Sequence, residues 1–347
     1  METITIKDIA KLCGVGVSTV SRAMNDHPDI NPETKQMIMD VIRETNYIPN
    51  NSARNLKRTD SKTIAVLVKG LDNPLFGRMV RVIEEEIGKK NYSMVIHQVD
   101  SYEDEVAAAL ELEREKRLRG IIFLGGFYSE SSESLSQLKA PVVLVTSAKP
   151  QFKRDHTYSA VSVDDIRESY KMVNHLCSQG YRDIAIITAT MYDESVGKLR
   201  LLGYYKALQE NNIKVNEKLI KYMEESEDYS MACGYQLMTE LLDSGEKMSA
   251  VFAISDSLAI GACRAIYDKG LRVPEDIAVA GFDGIDIASY YTPSLTTIKQ
   301  PMEAIAKEAT KILFNVIRNK SMHSHKFFDG ELVLGESTGN NRKNSAD

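Results

Sequence analysis

Apolar residues at Ile6, Ile9 and Ala10 recur at helical spacing until Gly14-Val15-Gly16 interrupts them. A second helical run follows at once, with Val20, Ala23 and Met24 able to face the first. The spacing predicts helix, tight glycine turn, helix, which is the layout of a helix-turn-helix DNA reader. Val17, Ser18, Ser21, Arg22 and Asn25 are left over on the second helix, short or hydrogen-bonding side chains suited to base edges or phosphates. Asn31 stands where an N-cap belongs and Pro32 at the first helical position, ahead of a third stripe made by Met37, Ile38, Val41 and Ile42.

The pattern changes after Leu56. Residues 57–62 are polar, without apolar periodicity, and read as a linker. Beyond them, strand-like runs at 63–68, 93–99, 120–124 and 141–146 alternate with amphipathic helices at 74–89 and 103–117. A second set follows, with strands at 183–189, 213–222, 250–254 and 277–282 and helices at 166–178 and 257–268. This rhythm predicts two doubly wound parallel α/β lobes, each with its loops gathered at the carboxyl ends of its strands.

Composition narrows the class. The chain has 347 residues, enough for two or three domains, and 43% hydrophobic residues, enough for real cores. No apolar run approaches the roughly 18 residues of a membrane span, and the opening METITIKD is no signal peptide, so a cytoplasmic location is expected. Cys13, Cys177, Cys233 and Cys263 lie far apart and suggest neither disulfides nor zinc. Net charge is -6, and even the first sixty residues are not strongly basic, so the motif, not the charge, carries the DNA-binding reading. No nucleophile elbow, Walker loop, zincin motif or dinucleotide fingerprint is present, so no catalytic residue, metal or cofactor is expected. His323-x-His325 reads as solvated loop sequence.

Residues 4–25, ITIKDIAKLCGVGVSTVSRAMN, followed by NYIPN and ARNLK, resemble the lactose-repressor (LacI/GalR) family of bacterial transcription regulators. Cys13 replaces the usual alanine, and Gly16 the serine that would cap the reading helix. The resemblance continues through Asn73-Pro74-Leu75-Phe76, Val163-Asp164-Asp165, Gly180-Tyr181-Arg182, the segment 199–204, Gly281-Phe282-Asp283-Gly284 and the run 295–301. It implies an all-α helix-turn-helix head at 1–49 and a hinge helix and linker at 50–62. A periplasmic-binding-protein-like core would follow, with lobe one at 63–162 plus 293–322 and lobe two at 163–292 plus 323–340. Residues 341–347 would form a polar tail. Without heptads there, a homodimer is expected.

By the same resemblance, Val17, Ser18, Thr19, Ser21 and Arg22 face a pseudo-palindromic operator in double-stranded DNA, with Asn25, Thr34, Tyr47 and Asn50 on phosphates. Effector contacts fall to Arg200, Asp283, Tyr229, Phe76 and Ser255, which replaces an asparagine that often binds sugar, with Phe127 and Glu194 in more variable loops. Asp256 is expected to cap the next helix. A small effector, a sugar by preference, is implied. Two alternatives stand beside it: a solute-binding or transport protein of the same core fold, and a regulator answering to a protein corepressor.

In the hinge, Ala53, Arg54 and Leu56 would enter the minor groove, with Leu56 the wedge that kinks the duplex. Leu56→Ala is therefore expected to lower operator affinity and reduce DNA bending together, with effector binding intact. Gel-shift bending assays read both, and an unchanged bend at unchanged affinity rules the wedge out.

Overall fold

The computed structural model describes residues 4–24, 26–45, 47, 62–71, 73–100, 103–126, 135–147, 158–224 and 228–339. Asn25, Asn50, Ala53, Arg54, Leu56 and Phe127 lie outside the described residues, as do the expected hinge helix and the tail at 341–347. The chain divides into two units, Met1–Ser61 and Lys62–Asp347.

In the first unit, α1 (Ile6–Leu12), α2 (Val17–Met24) and α3 (Pro32–Glu44) close around Ile9, Ala10, Val20, Ala23 and Ile38. Each buried aliphatic side chain of this kind contributes about 1.5–3 kcal/mol. The Asp8 carboxylate accepts hydrogen bonds from Thr5 N–H at 2.9 Å and Thr5 Oγ1 at 2.6 Å, fixing the start of α1. Gly14 turns the chain at φ +65°, a backbone setting that L side chains resist. Asn31 Oδ1 accepts from Glu33 N–H at 2.8 Å and Thr34 N–H at 3.4 Å, with Pro32 opening α3.

The second unit holds two six-stranded sheets. Lobe one orders β1 (Thr63–Lys69), β2 (Ser93–Val99), β3 (Gly120–Leu124), β4 (Val142–Val145), β5 (Ser159–Val163) and β11 (His325–Phe328) as β11-β5-β4-β3-β1-β2, all parallel. Helices α4 (Pro74–Gly88), α5 (Glu105–Lys116) and α11 (Met302–Ile317) cover it. Alternate residues of β1 serve opposite faces: Ile64, Val66 and Val68 meet the α4 and α11 side, and Ala65 and Leu67 the α5 side. Lobe two orders β6 (Ile184–Thr188), β7 (Ile220–Tyr222), β8 (Ala250–Ala253), β9 (Ala278–Asp283), β10 (Thr296–Lys299) and β12 (Glu331–Val333) as β12-β10-β9-β8-β6-β7, with β12 antiparallel. Its helices are α6 (Asp165–Ser178), α7 (Val196–Glu210), α8 (Met231–Asp243), α9 (Asp256–Asp268) and the short α10 (Asp286–Tyr290). In both lobes the strand order reverses beside the first strand, the switch point where open α/β sheets bind ligands.

Several expected boundaries move. The expected strand at 213–222 shrinks to Ile220–Tyr222, because Asn216 caps a short 3-10 turn at Glu217–Leu219. Residues 293–299 were expected in lobe one, yet Thr296–Lys299 pairs along β9 in lobe two, and the chain crosses only at Gln300-Pro301. The last strand was expected wholly in lobe two; His325–Phe328 instead pairs with β5, and only Glu331–Val333 returns. His323 belongs to this pairing, its Nδ1 lying 3.1 Å from Ser159 Oγ. Ser337 and Thr338, within the 323–340 expected for lobe two, are buried there, and Ser337 Oγ donates to Val279 O at 2.6 Å.

Three strands of chain therefore join the lobes, at Val163–Asp165, Lys299–Met302 and Phe328–Glu331. Fully buried Glu168 braces the first and third of them. It accepts from Arg167 at 3.1 Å and from Lys171, while Lys171 also donates to Gly330 O at 2.7 Å and Arg167 reaches Asp329. A Cβ on Gly330 would lie 2.7 Å from Ile298 Cγ2 and 2.9 Å from Glu168 Oε2, so the third crossing needs glycine.

Ser255, not Asp256, caps α9, its Oγ accepting from Leu258 N–H at 3.3 Å. Asp256 is buried and accepts from Ile285 N–H at 2.8 Å and Thr297 Oγ1 at 2.6 Å, tying α9 to β10 and to the turn after β9. Burial, helped by the nearby Asp283 charge, pushes its carboxyl up to about 8. A carboxyl that binds its proton more tightly when folded weakens the fold as pH climbs from the ordinary value of 3.8 to about 8. Asparagine can keep one acceptor for Ile285 N–H and donate its amide to Thr297 Oγ1. Asp256→Asn is thus expected to flatten the fall in core stability over that window, read by urea melts at stepped pH.

In the head, a Cβ at Gly16 would meet nothing nearer than Ser18 Oγ at 3.5 Å. Gly16→Ser is expected to cap α2 and add about 0.3 kcal/mol of head stability, seen as a small rise in its thermal midpoint.

Candidate functional site

The head offers one polar helix face. Val20 and Ala23 turn into the core, which leaves Val17, Ser18 and Arg22 exposed on the opposite side of α2. Thr19 and Ser21 flank them, half-buried. Thr34 sits half-buried in the first turn of α3, and Tyr47 packs its ring against the head core. Arg22, in the last turn of α2, is exposed on the same face as Ser18; a guanidinium so placed can offer paired donors to a guanine edge.

The core offers a cleft of about 660 Å³ between the lobes, bounded by loops at the carboxyl ends of both sheets. Arg200, one turn into α7, is its electrostatic centre. The guanidinium is 4% exposed. Its Nε donates to Asp165 Oδ1 at 2.9 Å, and its Nη1 donates to Ile254 O at 2.6 Å and Asp283 Oδ1 at 3.5 Å. The Phe282 ring lies 3.8 Å below the guanidinium carbon. Burial opposes the charge, but Asp165 and Asp283 overcome it and leave Arg200 more basic than usual. Burial also raises both carboxyls above the ordinary range, with Arg200 opposing in each.

Asp283 ends β9 at φ +115°, a strained setting for a residue with a side chain, costing about 1–3 kcal/mol. Gly284 must follow, because a Cβ there would press within 2.5 Å of Lys299 Cα. The strain holds the carboxylate at the lobe boundary. There it accepts from Gln300 Nε2 at 2.9 Å and, from lobe one, from Asn73 Nδ2 at 3.4 Å. Asn73 also caps α4, accepting from Leu75 N–H at 3.0 Å. A second tie between the lobes is Arg78, 3.0 Å from both Asp286 and Glu303.

Of the expected effector residues, Phe76, Glu194, Arg200, Tyr229 and Asp283 line this one cleft. Phe76 is nearly buried beneath Gly125, where a Cβ would strike its ring at 2.9 Å. Tyr229 stands over Gly197, and burial holds its hydroxyl above the ordinary range. Glu194 sits at the lip and pairs with Lys198. Ser255 is spent on its helix cap, and its neighbour Ser257 reaches the cleft instead. Asn73, Asp165 and Gln300 were not expected in the site. All three lie in stretches that carried the resemblance, Asn73-Pro74-Leu75-Phe76, Val163-Asp164-Asp165 and 295–301, but no role was assigned to them there.

The described lining residues bear five carboxylates, Asp100, Asp193, Glu194, Asp228 and Asp283, against two cations. Both cations are already paired, Arg200 as above and Lys69 with Glu105 at 3.0 Å. Such a surface repels anions and offers acceptors and amides to hydroxyls.

Comparison with known proteins agrees with both halves. Residues 5–50 match the domain described as bacterial regulatory proteins, lacI family, and residues 173–338 a periplasmic binding protein-like domain. The HTH-type transcriptional regulator MalR of Clostridium butyricum is 41% identical over 337 residues, covering 96% of this chain and 99% of that protein. Among solved structures, the Lac repressor bound to ONPG in the repressed state superposes with a TM-score of 0.81 at 25% identity, covering 97% of this chain and 100% of that one. A complex of the transcriptional regulator CelR with cellobiose superposes at 0.70 and 27% identity, covering 96% and 99%. The chain belongs to the lacI family of bacterial transcriptional regulators.

Proposed function

We propose that this regulator is a repressor whose operator affinity is set by a neutral, polyhydroxylated effector, a sugar, held between the two core lobes. The observation that carries the reading is Asp283. Its carboxylate is anchored by Arg200 in lobe two and touched by Asn73 from lobe one, so a ligand hydroxyl taking that carboxylate trades against a contact between the lobes. An effector of this kind has different affinity for two lobe arrangements, which is what coupling to a second site requires. The acid-rich lining supports a neutral sugar over a phosphorylated one. The cellobiose bound by CelR lends the same support from a relative. On the head, Val17, Ser18 and Arg22 are assigned to base edges, and Thr34 and Tyr47 to phosphates. The working unit is taken to be a homodimer on a pseudo-palindromic operator, as two-fold sites demand. A transport protein of the same core fold has no use for such a head.

Two measurements test the reading. Arg22→Ala is expected to lose about 1–3 kcal/mol on the specific operator and much less on random DNA; equal losses would make it a backbone contact. Asp283→Asn is expected to abolish the rise in melting temperature that a bound sugar produces by mass action, while operator binding persists. A variant that keeps the full ligand shift removes Asp283 from the site.

A further inference from the structure

The cleft is longer than its anchoring residues require. Its lining follows the carboxyl ends of four neighbouring strands in each sheet. In lobe two it runs from Asp283 after β9, past Ser257 after β8 and Ala189 after β6, to Met223 after β7. In lobe one it runs from Thr146 after β4, through Gly125 and Gly70, to Gln98 at the end of β2. Four adjacent strands enclose three spacings, about 14 Å at ~4.8 Å each. One pyranose ring covers little more than one spacing. The Asn73 amide and the Arg200 guanidinium both reach Asp283, and Arg200 also meets Asp165 at the first crossing, so a single ring held there leaves the half under β2 and β7 to water.

That outer half has its own recognition chemistry. Asp100 and Gln98 face it from lobe one, and Asp228 from lobe two, all without a cation from the described lining. Tyr192, in the loop after β6, lines the cleft with 82% of its surface exposed, and Met231, at the start of α8 after β7, lines it 40% exposed. A large aromatic face left open beside carboxylates and an amide is suited to a sugar ring, with apolar C–H groups on the aromatic side and hydroxyls toward the acceptors. Exposed apolar groups at a cleft mouth, rimmed by polar side chains, mark a surface kept for a ligand.

We infer that the cleft has two sugar subsites and that the effector is a neutral glycan of at least two rings. The inner ring is held at Arg200, Asp283 and Asn73, and the outer ring at Tyr192, Asp228 and Gln98. The inference rests on the sugar reading above and adds its length and its second contact set.

The test is calorimetric titration of the full-length chain with D-glucose and D-galactose and with maltose, cellobiose, lactose and melibiose. At least one disaccharide is expected to bind tenfold or more tightly than either monosaccharide. Tyr192→Ala and Asp228→Asn, both at exposed positions, are expected to cut that disaccharide's affinity at least fivefold and leave monosaccharide affinity within twofold. Monosaccharides binding as tightly as every disaccharide would overturn the two-ring inference and leave the sugar reading standing. So would equal losses for both sugar sizes in the two variants. Failure of all six sugars to bind would remove the sugar reading and this inference with it.

Discussion

One buried cation organises the core. Arg200 is enclosed by Asp165, Asp283 and the carbonyl of Ile254, with Phe282 beneath it. Removing one partner of such a pair leaves an uncompensated buried charge, at a cost of about 3–5 kcal/mol. The constraint therefore reaches well beyond the cleft. Asp165 begins α6 at the first crossing, Ile254 follows β8, and Asp283 ends β9 beside the second crossing. The guanidinium holds the ligand-facing ends of three elements in one geometry, and one of them, α6, follows directly from lobe one.

The binding surface is rigid where it touches the sheets and adjustable where the lobes meet. Asp283 is held by strain, by Gln300 and by Arg200, all within its own side of the cleft. The contacts from lobe one are fewer: Asn73 on Asp283 at 3.4 Å and the exposed Arg78 on Asp286 at 3.0 Å. Exposed ion pairs contribute little, about 0–1 kcal/mol each. Under the proposed effector reading, so few direct contacts leave little for a bound ligand to outweigh when it shifts the lobes.

The architecture was largely legible in the sequence. Period-3.6 stripes gave the head helices, and runs such as TIAVLVK, buried on both faces, gave the central strands. What failed was assignment of short strands to lobes. Thr296–Lys299 and His325–Phe328 have four residues each, and hydropathy shows that a segment is extended without showing which sheet it joins. The site was legible in part. Arg200 and Asp283 were marked by motif register and both line the cleft, whereas Asp165 stood in a motif with no role assigned. Its partner is 35 positions away, a distance only the folded chain closes. Tyr192 had no local mark at all; its meaning comes from the cleft beside it.

The crossings at Gln300-Pro301 and at Asp329-Gly330 also govern how the protein comes into being. Lobe one takes α11 and its edge strand β11 from the last fifty residues, after nearly all of lobe two has been made. Until then the faces of Ile64, Val66, Ile122 and Val143 lack the helix that packs Ile305, Ala309 and Leu313 against them. A nascent chain leaving the ribosome from its N-terminus cannot complete its first lobe first, although domains elsewhere fold in that order. Lobe two, encoded between the two pieces, must act as the scaffold on which lobe one closes. A premature stop shortly after Lys299 would therefore remove α11 and β11 from lobe one and β12 from lobe two, leaving the earlier lobe the less complete.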